Sequence, residues 1–406
     1  NQIKNFVESV YFRIIEIKYK KKFPNKENLY PGEYIKDIAA KIIKENSNLD
    51  FKNFEKDYDV LKENSLNASM DLIKQDLKQL GILHDYFFSE TAIVEKDLVN
   101  KAVKNLKNKN LVEEGFLEPP KGETAANWKK IKRLIFKSTL YGDDNNRALQ
   151  KNDGSWTYFA NDIAYHMDKV DRKYDNLINI LGADHTGYIK RIKSAVSALS
   201  DNKTLLDCKV CQLVKLFKNG QPFKMSKRAG DFISAQDLLN EVEKDPIRFM
   251  MLNRSNDVEL DFDFDKVKEK NKDNPVFYVQ YAYARCKSLF KIFQENFKLN
   301  SEKNAFYSNN LNLNEEIDLI KKVTNFHNVI LQSAEYYEPH RVTNYLYDLA
   351  RMFHNYWGLG KINANNKIII NDNEEITCSR IFLVNIISLV IKKGLRIIKI
   401  NCPENM

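Results

Sequence analysis

No stretch of the 406-residue sequence reaches 18 consecutive apolar residues. The longest apolar-rich run, Ile381 to Ile391, is broken by Asn385 and Ser388 and is too short to cross a bilayer. No membrane partner is therefore expected. Cysteine is also sparse. The five cysteines are scattered and odd in number, which excludes a secreted disulfide framework and suits a reducing compartment. Cys208 and Cys211 have the spacing of half a zinc site, but no second pair follows them. They are read as strand or incidental residues, and no metal site is assigned. There is no internal repeat and no secretory leader pattern. The first residue is Asn1, not Met, inside a segment that reads as a helix. The sequence is therefore expected to be truncated or processed at its start.

A chain of this length can hold two or three domains, and a 43% hydrophobic content suits a globular protein with a sizeable core. The formal net charge of +9 favours an anionic partner such as nucleic acid. The lysines are spread along the chain, so the charge supports that partner without proving it.

The first part reads as helical. Phe6, Val10, Ile14 and Ile17 stand at helical spacing within residues 2–20. Tyr30-Pro31-Gly32-Glu33-Tyr34 is a turn leading into a helix from Ile35 to Ile43. Residues 54–80 predict one or two helices with Leu72, Ile73, Leu77 and Leu80 as the core stripe and Gly81 as the cap. Ile82 to Phe88 reads as extended, Lys96 to Asn108 as a helix, and Gly115 to Gly122 as a loop.

The pattern changes after residue 144. Trp156 to Ala160 is strand-like, and a helix is expected to start at Asn161 or Asp162, either of which could cap it. Leu177 to Leu181 and Leu213 to Phe217 are apolar runs, each with one polar residue, Asn179 and Lys215, and read as buried strands, with a helix from about Gly187 to Leu199 between them. Apolar strands alternating with helices predict a parallel α/β sheet, and ligands bind such sheets at the carboxyl ends of the strands. Three segments fall there: Tyr158 to Asp162, Gly182 to His185, and the loop after Asn219-Gly220, itself a strong hairpin-turn signal. That loop carries Lys224-Met225-Ser226-Lys227 and is followed by an amphipathic helix, Ala235 to Val242. A bare Lys-x-x-Lys is an ordinary solvated loop. Two lysines three apart on a loop after a strand and turn can also both point at one polyphosphate. From Asn274-Pro275 onward four amphipathic helices are expected, at 276–293, 317–331, 341–357 and 378–398, forming a separate bundle.

The order of motifs is specific. Tyr30-Pro31-Gly32-Glu33-Tyr34, Asp153-Gly154-Ser155-Trp156-Thr157-Tyr158, Gly182-Ala183-Asp184-His185-x-Gly187-Tyr188, Lys224-Met225-Ser226-Lys227 and Asn274-Pro275-Val276-x-Tyr278-x-Gln280-Tyr281 occur in that sequence. The whole chain thereby resembles the bacterial arginyl-tRNA synthetases, a class I synthetase family. The resemblance implies an α/β Rossmann-like class I synthetase catalytic domain with its first half missing and a mostly helical insertion, followed by an all-α anticodon-binding bundle. The boundaries it implies are 1–20 for a residual helix of the first half, 21–137 for the insertion, 138–272 for the second half, and 273–406 for the DALR-type anticodon-binding domain.

The resemblance further implies an arginine–tRNA ligase, with L-arginine, ATP and tRNA(Arg) as partners. Mg²⁺ would accompany the ATP phosphates, and the protein would act as a cytoplasmic monomer. Lys224 and Lys227 would be catalytic, stabilising the leaving pyrophosphate. Met225, Ser226, Gly182 and Asp184 would complete the ATP contacts. Tyr158, Asp162 and His185 would bind arginine, since a guanidinium needs an anion. The alternative for Asp162 is that it only caps its helix. His166 reads as structural. Gln280, Tyr281 and Arg285 would meet the tRNA, with aromatic rings stacking on unpaired bases.

One departure stands out. The family's first signature, His-x-Gly-His, is absent, and none of the six histidines forms a His-x-x-His pair. The 406 residues alone are therefore expected not to activate arginine. A non-catalytic tRNA-binding paralogue that has lost this motif is the second reading. A small-molecule nucleotidyltransferase is a third, though it would not need the helical tail.

Overall fold

The computed structural model describes residues 2–117, 131–223, 234–271, 273–297 and 310–406. The chain forms two compact units: Asn1–Leu83 with Lys215–Ser255 and Asp261–Met406, and His84–Val214 with Asn256–Leu260.

The first unit opens with α1 (Gln2–Tyr19), α2 (Glu33–Glu45) and α3 (Phe54–Gln79). Val7, Val10 and Ile14 of α1 pack on Ile35, Ile38 and Ile42 of α2 and on Leu61 and Ala68 of α3. The expected stripe on α3 is corrected here. Its buried residues are Leu61, Ser65 and Ala68; Leu72 is half-buried against the same core, Leu80 is half-buried against Val242 and Ile247 in another, and Ile73 is exposed. Gly81 does end α3. Its φ of +73° suits glycine, and the Gly81 and Ile82 amides close back on the carbonyls of Lys78 and Leu77.

The second unit contains α4 (Thr91–Glu95), α5 (Leu98–Asn108) and an antiparallel sheet of β1 (Val112–Gly115), β2 (Arg133–Phe136) and β3 (Arg147–Ala148). This sheet was not foreseen. Its strands have two to four residues, too few to show an alternation. There follow α6 (Tyr158–Asp171), β4 (Asn176–Gly182), α7 (Ile189–Ser200) and β5 (Leu205–Cys211). β4 and β5 pair in parallel, from Asn176 opposite Leu205 to Gly182 opposite Cys211, with α7 as the crossover. Phe159, Ile163, Leu177, Ile192, Val196 and Leu206 share one core. The strands are not buried on both faces, since Ile178 and Ile180 are exposed.

The parallel partner of β4 is thus the cysteine-bearing β5, not Leu213 to Phe217 as the apolar run suggested. Cys208 is half-buried on it and Cys211 exposed. The Leu213 segment becomes β6 (Val214–Lys218), which turns through Asn219-Gly220 into β7 (Gln221–Pro222) as an antiparallel hairpin. Both turn residues have positive φ, as such a turn requires. Val214 is 40% exposed and none of the residues of β6 is buried, so it is not the buried strand expected. Lys218 and Lys268 both hold Glu241 at 2.6 Å.

The first unit continues with α8 (Ala235–Glu241), capped by Ser234 and Asp237, then α9 (Lys244–Leu252), β8 (Leu260–Asp263) beside β6, and α10 (Phe264–Lys268). The bundle comprises α11 (Pro275–Asn296), α12 (Asn314–Thr324), α13 (Phe326–Glu335), α14 (His340–Ile362) and α15 (Glu374–Ile397). The expected helix over 317–331 is two helices, broken at Asn325. Val279, Tyr283, Leu346, Phe353, Ile387 and Ile391 lie in the bundle core.

These cores group the residues differently from the boundaries at 20, 137 and 272. α1 shares its core with α2 and α3, residues beyond 84 share theirs with α6 and α7, and Phe249 of α9 belongs to the bundle core. Periodicity shows which face of a helix is buried, not what buries it.

Candidate functional site

Helix α6 begins at Tyr158, so the expected strand at Trp156 to Ala160 is corrected. Thr157, not Asn161 or Asp162, is the cap: its backbone is extended and its hydroxyl accepts the Ala160 amide at 3.2 Å. Phe159, Ala160, Ile163 and Ala164 then face the core. Tyr158 and Asp162, four residues apart, share an adjoining face. Tyr158 is 83% exposed, with the Lys151 ammonium 5.5 Å from its ring centre. Asp162 is half-buried in the helix interior, which rules out a role limited to capping.

The Asp162 carboxylate accepts a short hydrogen bond at Oδ2 from the hydroxyl of Tyr188. Among the described residues no cation comes within ion-pair distance of it, and none donates to Oδ1. A half-buried carboxylate with no ion-pair partner among the described residues suits a cationic ligand. One turn further on, His166 contacts the Asp162 carbonyl through Nδ1 at 2.8 Å, and Asn179 of β4 donates to its Nε2 at 2.9 Å. The network places the ring proton on Nδ1. Burial lowers the His166 pKa to about 4, so the ring is neutral. Lys169 donates to Asn179 Oδ1 at 2.9 Å, and burial lowers its pKa also. His166 is therefore structural.

β4 ends at Gly182, and a 3-10 turn over Ala183–Tyr188 follows. A side chain at Gly182 would start 2.7 Å from Asp184 Oδ1. Asp184 and His185 are exposed and lie 3.6 Å apart. The turn thus sends Tyr188 to Asp162 and leaves Asp184 and His185 facing solvent. A nearby cavity of about 380 Å³ is lined by Arg133, Gln150, Lys151, Asn152, Asp153 and Thr157, and includes neither Tyr158 nor Asp162.

In the bundle, Gln280, Tyr281 and Arg285 all lie on α11. Gln280 donates to the Asn401 carbonyl at 3.0 Å and to Asp245 at 3.3 Å, so its amide is engaged internally. The Arg285 guanidinium sits 4.5 Å from the Tyr281 ring centre and 3.9 Å from that of Trp357. It also contacts the Tyr281 hydroxyl and His354 Nδ1, at 2.9 and 2.7 Å. Burial lowers the His354 pKa to about 4, leaving Nδ1 free to accept. Tyr281 stacks on Phe277 with rings 8° from parallel and remains partly exposed.

Across its full length the chain is 51% identical to the arginine–tRNA ligase of Pelagibacter ubique, covering 70% of that protein. The chain belongs to the arginine–tRNA ligase family. It is 44% identical, again over its full length and over 70% of the relative, to the arginine–tRNA ligase of Wolbachia sp. subsp. Brugia malayi. Residues 279–406 match the DALR anticodon binding domain. A Campylobacter jejuni chain, solved as a candidate arginyl-tRNA synthetase, is 29% identical. It superposes with a TM-score of 0.80, covering all of this chain and 83% of its own. Thermus thermophilus arginyl-tRNA synthetase, at 17% identity and a TM-score of 0.64, shares the fold over 99% of this chain and 74% of its own.

Of the residues expected to serve the family's chemistry, Tyr158 and Asp162 come together on α6. Gly182, Asp184 and His185 occupy the end of β4. Lys224, Met225, Ser226 and Lys227 lie outside the described residues. Among the described residues no group of three or more His, Cys, Asp or Glu gathers as a metal site. No described helix is long and apolar enough to cross a membrane. Sequence reasoning missed the roles of Tyr188, Asn179, His354 and Trp357. Tyr188 stood within a recognised motif, but 26 residues separate it from Asp162 and no local pattern joins them.

Proposed function

We propose that the chain ligates L-arginine to tRNA(Arg) in two steps, the arginine specificity resting on Asp162 and Tyr158. In the first step the arginine carboxylate attacks the α-phosphate of ATP, and pyrophosphate leaves. In the second the ribose hydroxyl of the terminal adenosine of the tRNA takes the arginyl group, and AMP leaves. Neither step needs a protein nucleophile. Both need positioning and stabilisation of developing charge.

In this reading Asp162 accepts the guanidinium with Tyr158 beside it, and His185, Gly182 and Asp184 line the amino-acid and adenosine side. Lys224 and Lys227 neutralise charge on the pyrophosphate, with Met225 and Ser226 shaping their loop. Mg²⁺ accompanies the ATP phosphates, with no described cluster of acids to hold it. Residues 138–272 form the second half of the nucleotide-binding fold, and 273–406 bind the anticodon arm, where Tyr281 is the ring open to a base. The protein acts as a monomer in the cytoplasm.

The observation that carries the reading is the half-buried Asp162 carboxylate, without an ion-pair partner among the described residues, in a chain 51% identical to an arginine–tRNA ligase. The test uses the enzyme expressed from its complete reading frame. Arginine-dependent ATP–pyrophosphate exchange and charging of tRNA(Arg) are expected. Tight tRNA binding with no exchange at any arginine concentration would favour the non-catalytic paralogue instead.

A further inference from the structure

We infer that Tyr188 is a specificity-positioning residue for arginine: its hydroxyl fixes the rotamer of the Asp162 carboxylate, so that Oδ2 is held internally and Oδ1 is presented to the guanidinium. This inference rests on the reading of Asp162 as the acid that receives arginine.

The geometry behind it joins three elements. Asp162 comes from α6, Tyr188 from the turn after β4, and Arg191 from the first turn of α7. The Tyr188 ring meets Phe159 edge to face, with centres 6.2 Å apart and planes at 88°. Phe159 is itself in the core, so the phenol is aimed by packing rather than by a loose loop. The Arg191 guanidinium lies 5.1 Å from the Tyr188 ring centre and 6.0 Å from that of Phe159. The Arg191 guanidinium therefore rests on aromatic faces, and no ion pair joins it to Asp162.

That arrangement answers a problem of chemistry. A carboxylate meant for a ligand guanidinium must stay charged, keep a fixed direction, and not be neutralised by a protein cation. A neutral phenol donor meets all three needs. It satisfies one oxygen, orients the group and leaves the net charge in place. Burial and the adjacent carboxylate push the Tyr188 pKa upward, so the phenol remains a donor. Preorganisation of this kind lowers the cost of binding without touching the reacting carboxylate of the amino acid.

The test compares Tyr188→Phe and Asp162→Asn in the enzyme from its complete reading frame, by ATP–pyrophosphate exchange with arginine and with citrulline. Tyr188→Phe keeps the ring that packs on Phe159 and removes only the hydroxyl. A hydrogen bond to a charged group is worth enough for KM for arginine to rise about tenfold or more. kcat at saturating arginine and KM for ATP should stay within about twofold, because the lost interaction serves binding rather than the reacting centre. The preference for arginine over citrulline should fall in both variants, further in Asp162→Asn.

Three results would overturn something, and they are distinct. If Asp162→Asn leaves the arginine-to-citrulline ratio unchanged, the reading of Asp162 fails and the inference with it. If Asp162→Asn lowers the ratio but Tyr188→Phe leaves KM for arginine unchanged, the reading stands and the inference is wrong. If Tyr188→Phe lowers kcat and the melting temperature with no change in KM, Tyr188 only packs, and the inference is again wrong.

Discussion

Asp162 and His166 stand one turn apart on α6 and meet opposite requirements. Asp162, half-buried, accepts a hydrogen bond from the Tyr188 phenol and has no cation at ion-pair distance among the described residues, which leaves it open to a cationic ligand. His166 gives up its charge, because it is buried between the Asp162 carbonyl and Asn179. Its pKa falls from 6.5 to about 4, so between those values the unfolded chain binds a proton that the folded chain does not. Stability is complete above about pH 6.5 and falls as the pH drops through this window, by up to about 3 kcal/mol at pH 4. His354 adds a slope of the same sign. Urea midpoints measured between pH 7 and pH 4.5 should therefore fall steadily. A His166→Gln variant should show a visibly shallower slope, and an unchanged slope would place the titration elsewhere.

At the scale of the element, the start of α6 decides where the site residues point. Thr157 caps the helix through its hydroxyl, which also lies 3.2 Å from the carbonyls of Ala148 and Leu149. The cap thus ties α6 to β3, and Tyr158 and Asp162 follow within the next two turns. Thr157→Ala should cost about 1 kcal/mol of stability in denaturant unfolding. It should also raise KM for arginine, since the first turn frays and carries Tyr158 with it. Thr157→Ser should restore most of both, because serine keeps the accepting oxygen. Equal behaviour of the Ala and Ser variants would show that the methyl, not the hydroxyl, matters.

At the scale of the molecule, the helical bundle extends beyond the residues that match the DALR domain. Phe249 of α9 is fully buried in the bundle core. Arg248 donates to the carbonyls of Leu80 and Ile398, both at 2.9 Å, and Asp245 accepts the Asn401 amide at 3.0 Å. Inside the bundle, Arg380 and Tyr356 both meet buried Glu316, at 2.7 and 2.8 Å, and Arg380 also reaches the carbonyls of Asn365 and Lys367. A fragment starting at Glu243 should therefore unfold at higher urea than one starting at Asn274, which lacks Phe249 and its contacts. Burying one large aromatic side chain is worth about 1.5–3 kcal/mol. Identical midpoints would show that α9 is a passenger.

The amino-acid sequence by itself determined the family, the helical start, the turn at Asn219-Gly220, the β4 strand and the helical tail. It also picked out Tyr158 and Asp162 as one pair through the resemblance to the family, although it placed Tyr158 on a strand; that the two share a helix face came from the structure. Those are local properties, set by periodicity, turn chemistry and contiguous motifs. Only the tertiary structure decided the rest. It made β5, not the run from Leu213 to Phe217, the parallel partner of β4. It put the buried residues of α3 at Leu61, Ser65 and Ala68, leaving Leu72 and Leu80 half-buried and Ile73 exposed. It brought Tyr188 to Asp162, Asn179 to His166, and Trp357 to Arg285. Each of those pairs joins residues 13 to 72 positions apart whose types are ordinary on their own. Their meaning arises from which faces pack together, and a linear pattern does not encode that choice until the cores have formed.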